Sequence, residues 1–95
     1  MATGQDDRYA DALRAFTRAL RDERLRVGLS QVELAEKARL SVTMVQNLER
    51  PSYAGNPRLS TLLALAEALG VPVEALLRTR PGTGQTAPDP RRADI

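Results

Sequence analysis

Apolar residues in the first third of the chain recur at helical spacing. Four of them are separated by 4, 3 and 4 positions, as one buried helix face requires: Tyr9, Leu13, Phe16 and Leu20. The pattern predicts a helix over residues 8–27, with Asp6 or Asp7 as its N-cap and Gly28 as its end. Residues 1–7 are expected to be flexible. The first two residues of the stripe are expected to pack on the C-terminal helix or on a second subunit.

Two shorter helices are predicted over residues 30–49. Ser30, followed three residues later by Glu33, forms a capping box, so that a helix begins at Gln31. Ser41 offers a second N-cap, which begins the next helix. The residues that face inward from the two helices share the spacing of a buried face: Leu34, Ala35, Ala38, Val45 and Leu48. Because two residues are left between the helices, the pattern indicates a helix-turn-helix.

The second helix of this motif leaves short, mostly uncharged side chains pointing outward. These are Val42, Thr43, Gln46 and Asn47, together with Arg50, near which the helix is expected to end. Amides can pair with adenine edges, and Val or Thr methyl groups can contact the thymine methyl group. Exposed amides are also common on ordinary solvated surfaces, but the motif that presents this set favours base contact.

A fourth and a fifth helix are predicted after residue 55. The fourth ends at Leu69 before Gly70, and it begins either with Asn56 as its cap and Pro57 at its first position or nearer Leu59. Its core residues by spacing are Leu59, Leu62, Leu63, Ala66 and Leu69. A short fifth helix follows over residues 71–77. The domain is thus assigned to residues 8–78.

Residues 79–95 are rich in Pro, Gly and Thr and show no apolar periodicity. This composition predicts a disordered tail. Its arginine pair, Arg91 and Arg92, would add a weak non-specific attraction to DNA, and Ile95 is a candidate anchor on a protein partner.

Composition narrows the class of function. The chain has 95 residues, no Cys and no His, so disulfides, thiolate metal sites and imidazole bases are absent from it. It also lacks a glycine-rich phosphate loop and a catalytic carboxylate pair. We therefore expect no enzyme, no metal and no cofactor. The acidic N-terminus and the lack of a long apolar run predict a cytoplasmic protein with no membrane partner.

The net charge of +2 does not by itself indicate a nucleic-acid partner. Three arginines of the first helix lie away from its apolar stripe: Arg14, Arg18 and Arg21. They are most simply interpreted as a solvated face, with contact to DNA phosphates as the alternative.

Residues 20–77 resemble the lambda-repressor-like, Cro/Xre-type helix-turn-helix family. The resemblance rests on the segments Leu29–Gln31, Glu33–Ala35, Val45, Leu48–Glu49, Asn56–Pro57, Leu59, Thr61–Leu63 and Leu65–Val71. It implies an all-α fold of five helices. It also implies a transcriptional regulator, such as a repressor, that binds double-stranded DNA as a homodimer.

The resemblance also assigns roles to individual residues. Bases would be read from the start and middle of the second motif helix, which carries Val42, Thr43, Gln46 and Asn47. Gln31, Arg50 and Arg58 would contact the DNA backbone. Arg24 and Glu49 would form a structural ion pair. The end of the domain would form the dimer contact through Val71, Val73, Leu76 and Leu77, for which core packing under the first helix is a rival use.

The sequence departs from the family pattern at two places. The corner position, usually Gly, is Arg39, where a left-handed conformation would cost roughly 1 kcal/mol. The loop after the recognition helix, which begins Arg50-Pro51, is about one residue longer than is common in the family. An alternative function is therefore a protein-interaction module on the same fold, such as an antitoxin or a partner-dependent regulator with weak DNA affinity.

Overall fold

Five helices follow one another in the computed structural model, which describes residues 3–77 and the side chains of residues 8–77. They are α1 (Thr3–Val27), α2 (Gln31–Ala38), α3 (Val42–Leu48), α4 (Leu59–Leu69) and α5 (Glu74–Leu77). No strand occurs within residues 3–77, so the predicted all-α class is confirmed. None of the helices in this range is long and apolar enough to cross a membrane. The predicted tail, with Arg91, Arg92 and Ile95, lies outside the described residues.

α1 begins earlier than the sequence predicted. Its backbone is helical from Thr3, so Asp6 and Asp7 lie inside the helix and are not its N-cap. The helix ends where predicted, at Gly28, which has a φ of 86°.

One hydrophobic core is shared by all five helices. Its members are buried Leu, Val, Ala and Phe side chains: Phe16, Leu20, Leu34, Ala35, Ala38, Val45, Leu48, Leu62, Leu65, Ala66, Leu69 and Leu76. In α4, the assignment of Leu59 and Leu63 to the core is wrong, because these side chains are 64% and 49% exposed. Leu65 is buried in their place. α4 carries leucines on several of its faces, so its sequence is compatible with more than one buried apolar stripe. Packing against the other helices selects one of them.

The last two helices settle two alternatives that the sequence left open. α4 begins at Leu59 with Arg58 as its N-cap residue, so Asn56 and Pro57 precede the helix. α5 packs on α1, and Leu76 is completely buried. The assignment of Leu76 to a dimer contact is therefore wrong, since it fills the core.

The other dimer candidates differ in their exposure. Val71 and Val73 are half-buried against the core. Leu77 is 48% exposed. These three side chains keep apolar surface at the end of the domain.

Candidate nucleic-acid interface

The starts of α2 and α3 are each fixed by hydrogen bonds between neighbouring residues. The Ser30 hydroxyl oxygen accepts the Glu33 amide at 3.0 Å, and the Glu33 carboxylate accepts the Ser30 amide at 2.8 Å. These bonds complete the predicted capping box, which fixes the start of α2. The Ser41 hydroxyl accepts the Met44 amide at 3.0 Å, so the predicted N-cap of α3 is also present.

The corner itself turns through a non-glycine residue in the left-handed region. Arg39 has φ 60° and ψ 43°. The next amide, of Leu40, donates to the carbonyl oxygen of Ala35 at 2.9 Å. This bond closes the end of α2 and lets α3 start after a single further residue. The strain expected at Arg39 is therefore built into the motif.

A buried ion pair joins α1 to the end of α3. Arg24 donates from Nε to Glu49 Oε2 at 2.7 Å and from Nη2 to Oε1 at 2.9 Å. Its Nη1 donates to the Leu29 carbonyl oxygen at 2.8 Å. Both side chains are buried. The hydrogen bonds to Glu49 raise the pKa of Arg24 against the opposing effect of burial. The structure thus contains the predicted pair, which holds the end of α3 against α1 and the start of α2.

Gln31 joins this buried network. Its Nε2 donates to Glu49 Oε1 at 3.1 Å, and the residue is half-buried. The expectation for Gln31 was a contact with a DNA phosphate. An amide nitrogen has two N–H donors, so one remains for such a contact. The bond to Glu49 would orient it.

α3 presents a short polar face. Thr43, Gln46 and Asn47 are exposed, whereas Val42 is half-buried and packs on the core. Val42 therefore offers less of its surface to a partner than the sequence indicated. α3 was expected to reach about residue 50, but it ends at Leu48, with Glu49 as its C-cap residue. Arg50 is exposed in the loop.

A groove of about 640 Å³ separates α3 from the start of α4. It is lined by hydroxyl, amide and apolar side chains together with one arginine: Ser41, Thr43, Met44, Asn47, Leu48, Tyr53, Asn56, Pro57, Arg58, Ser60 and Thr61. The structure therefore brings Arg58 to the same surface as Thr43 and Asn47. Sequence reasoning missed Met44 and Ser60, because periodicity does not show which loop will face α3.

The loop after α3 is held by a residue far away in the chain. The Tyr9 hydroxyl donates to the Gly55 carbonyl oxygen at 2.7 Å and lies 3.2 Å from Asn56 Oδ1. A Cβ atom at Gly55 would lie 2.6 Å from the Tyr53 hydroxyl oxygen, so a larger residue here would displace the Tyr53 ring. Burial, with a smaller contribution from Tyr9, raises the pKa of Tyr53. This contact of Tyr9 with the loop after α3 was not predicted from the sequence.

Comparisons with known proteins agree with this architecture. The helix-turn-helix family model matches residues 20–76. The immunity repressor protein of Bacillus phage phi105 is 50% identical over 60 residues, which are 63% of this chain. The matched region spans 38% of that repressor.

A solved structure with a similar fold is that of the restriction-modification controller protein C.AhdI from Aeromonas hydrophila. It is 36% identical to this chain, with a TM-score of 0.62. The match covers 67% of this chain and 94% of the controller protein. The chain therefore belongs to the Cro/Xre-type helix-turn-helix family, a family of DNA-binding transcription regulators and not of enzymes.

Proposed function

We propose that this chain is a sequence-specific transcriptional regulator that places α3 in the major groove of DNA and acts as a homodimer. One observation carries the proposal: Thr43, Gln46 and Asn47 are exposed together on a short helix whose two ends are fixed. The capped corner fixes its start, and the pair of Arg24 with Glu49 fixes its end.

The chemistry of this face fits base reading. The amides of Gln46 and Asn47 can each donate and accept, which suits the adenine edge in the major groove. The Thr43 methyl group can contact a thymine methyl group. Val42 would contribute at the edge of this face, since part of its side chain packs on the core.

Residues on both sides of α3 would bind the DNA backbone. Arg58 lines the groove between α3 and α4, and Arg50 is exposed just after α3. Gln31 would donate its remaining N–H from the start of α2. Contacts of this kind position a protein on the duplex and carry no direct sequence information.

The similar proteins support a regulatory role. One is named an immunity repressor and another a restriction-modification controller. In a homodimer the two α3 helices would lie about 34 Å apart, one turn of DNA, and would read related half-sites. Val71, Val73 and Leu77 supply apolar surface at the end of the domain for this dimer contact.

The test is binding of the purified protein to its own upstream DNA and to scrambled DNA over a salt series. We expect a preference of about a thousandfold or more for the upstream DNA. Gln46→Ala and Asn47→Ala should each cost about 1–3 kcal/mol and relax the preference at particular bases. Arg58→Ala is the matched contrast, because it should weaken binding to both DNAs and reduce the salt dependence.

Two results would contradict the proposal. An unchanged base preference in the Gln46 and Asn47 variants would show that α3 does not read the sequence. Weak binding to both DNAs that falls equally with salt would favour the alternative of a protein-interaction module, such as an antitoxin. Melting temperatures of the variants check that a loss of binding does not come from unfolding.

A further inference from the structure

A row of arginines on α1 lies beside the end of α3. Arg14, Arg18 and Arg21 recur at intervals of four and three residues, so they follow one face of the helix. With Thr17, Glu49 and Pro51 they line a depression of about 190 Å³. The sequence favoured a solvated face for these arginines, but the structure sets them next to the residue that caps α3.

The positive charge of this row is only partly compensated by ion pairs. Glu49 is the carboxylate inside the depression, and it is bound by Arg24 and Gln31. Arg18 and Arg21 form no ion pair with a carboxylate in residues 8–77, whereas Arg14 pairs with Asp11 on its own helix. Two exposed guanidinium groups are therefore available to an anionic partner.

The depression and the groove lie on different flanks of α3. The groove contains Thr43 and Asn47, and the depression contains Glu49. On a helix with 3.6 residues per turn, Glu49 projects far from the direction of Thr43, and Gln46 lies between them. The two cavities have no lining residue in common within the described part of the chain. The exposed face of α3 with Thr43, Gln46 and Asn47 is therefore bordered by Arg58 on one flank and by the arginine row of α1 on the other.

We propose that Arg18 and Arg21, with Arg14 beside them, bind the sugar-phosphate backbone on the flank of α3 opposite Arg58. The proposal rests on the proposed function, in which α3 enters the major groove. That groove is bounded by a backbone on each side, so a helix inside it approaches phosphates on both flanks. The arginine row would extend the backbone contact of Gln31 along this flank. Gln31 donates to Glu49, and Glu49 lines the same depression as the row.

The dimensions suit more than one phosphate. Arg14 and Arg21 are about 10 Å apart along the helix axis. Measured along the axis of the duplex, this distance corresponds to a rise of about three base pairs. The family match begins at residue 20, so Arg14 and Arg18 lie outside the matched region. The family match therefore does not supply the proposed contact at these two residues.

The test compares two double variants of the full-length chain that remove the same charge. Arg18→Gln with Arg21→Gln should lower the slope of log affinity against log salt by about 2, because each phosphate contact contributes about 0.9. At low salt, binding to upstream and scrambled DNA should weaken alike, by about tenfold, so the preference ratio stays constant. Arg8→Gln with Arg26→Gln is the control on another face of α1, and its slope should change by less than half as much.

Phosphate ethylation interference locates the contact. The wild-type protein should show interference at phosphates on both flanks of each half-site. The Arg18 and Arg21 variant should lose the interference that depends on these two arginines and keep the interference that depends on Gln31 and Arg58. An unchanged salt slope and an unchanged interference pattern would overturn the proposal, as would equal effects of the two double variants.

The same experiment separates this inference from the proposed function. If the wild-type protein prefers its upstream DNA but the variant keeps the full salt slope, the arginine contact fails and the regulator stands. If the wild-type protein shows no preference but the variant loses the slope, the regulator fails and the arginine contact is supported.

Discussion

The two connections of α3 are held in different ways. The turn before it is closed by residues close in sequence, through the cap at Ser41 and the left-handed conformation of Arg39. The end of α3 and the loop after it are held from α1. Glu49 is bound by Arg24, 25 residues earlier, and Gly55 by Tyr9, 46 residues earlier. The comparison indicates that local chemistry sets the start of α3 and tertiary packing sets its end.

The largest expected effect is at the long-range ion pair. Arg24→Ala should destabilise the fold by about 3 kcal/mol, because it leaves the Glu49 carboxylate buried without its cation. Arg18→Ala is the control, since this exposed residue of α1 should change stability by less than about 0.5 kcal/mol. Chemical denaturation measures both variants. Equal unfolding free energies would show that the pair does not hold α3.

The local turn should respond in the opposite direction. Arg39→Gly should raise the unfolding free energy by up to about 1 kcal/mol, because glycine adopts φ 60° without the Cβ penalty. Gly70→Ala is the matched reverse change. Gly70 caps α4 at φ 72°, and an added Cβ would meet no atom within 4 Å, so backbone strain alone should destabilise it. If Arg39→Gly leaves the denaturation midpoint unchanged, the corner stores no strain.

The contrast between local and long-range contacts also explains which features could be predicted from the sequence. The caps at Ser30 and Ser41 need a hydroxyl and an amide a few residues apart, so spacing alone indicated them. The pair of Arg24 with Glu49 spans two helices, and it was predicted because the family resemblance supplied it. Neither spacing nor the family resemblance indicates the contact of Tyr9 with Gly55. Tyr9 lies in the part of α1 outside the family match, and a tyrosine at that spacing resembles a core residue.

Side-chain burial shows the same limit. Leu62 and Leu63 are neighbours with identical chemistry, yet the first is buried and the second is exposed. Which of them faces the core depends on how α4 is rotated against α2, and a single helix sequence does not contain that rotation. Leu76 was assigned to a dimer contact by the family resemblance, with core packing under the first helix as the rival use, and α5 turns it under α1.

The smallest expected effect tests the contact between α1 and the loop. Tyr9→Phe keeps the ring and removes the hydroxyl that donates to Gly55. Because Tyr9 is 45% exposed, the lost hydrogen bond should cost about 0.5 kcal/mol or less, and the melting temperature should change little. The effect should instead be local. Within the loop, the Tyr53 amide donates to the Arg50 carbonyl oxygen at 2.8 Å, so its hydrogen exchange reports loop opening.

We expect the Tyr53 amide to exchange about twofold faster in Tyr9→Phe, because a loss of about 0.5 kcal/mol in the free energy of loop opening corresponds to about that factor. The Met44 amide, bound to the Ser41 hydroxyl, should keep its rate, because the turn before α3 does not depend on Tyr9. Faster exchange at both amides would mean that the two connections open together, which contradicts the separation between local and long-range control. Unchanged exchange at Tyr53 would mean that the loop holds its conformation without α1. In that case the long first helix would act on DNA through its arginines and not through the loop.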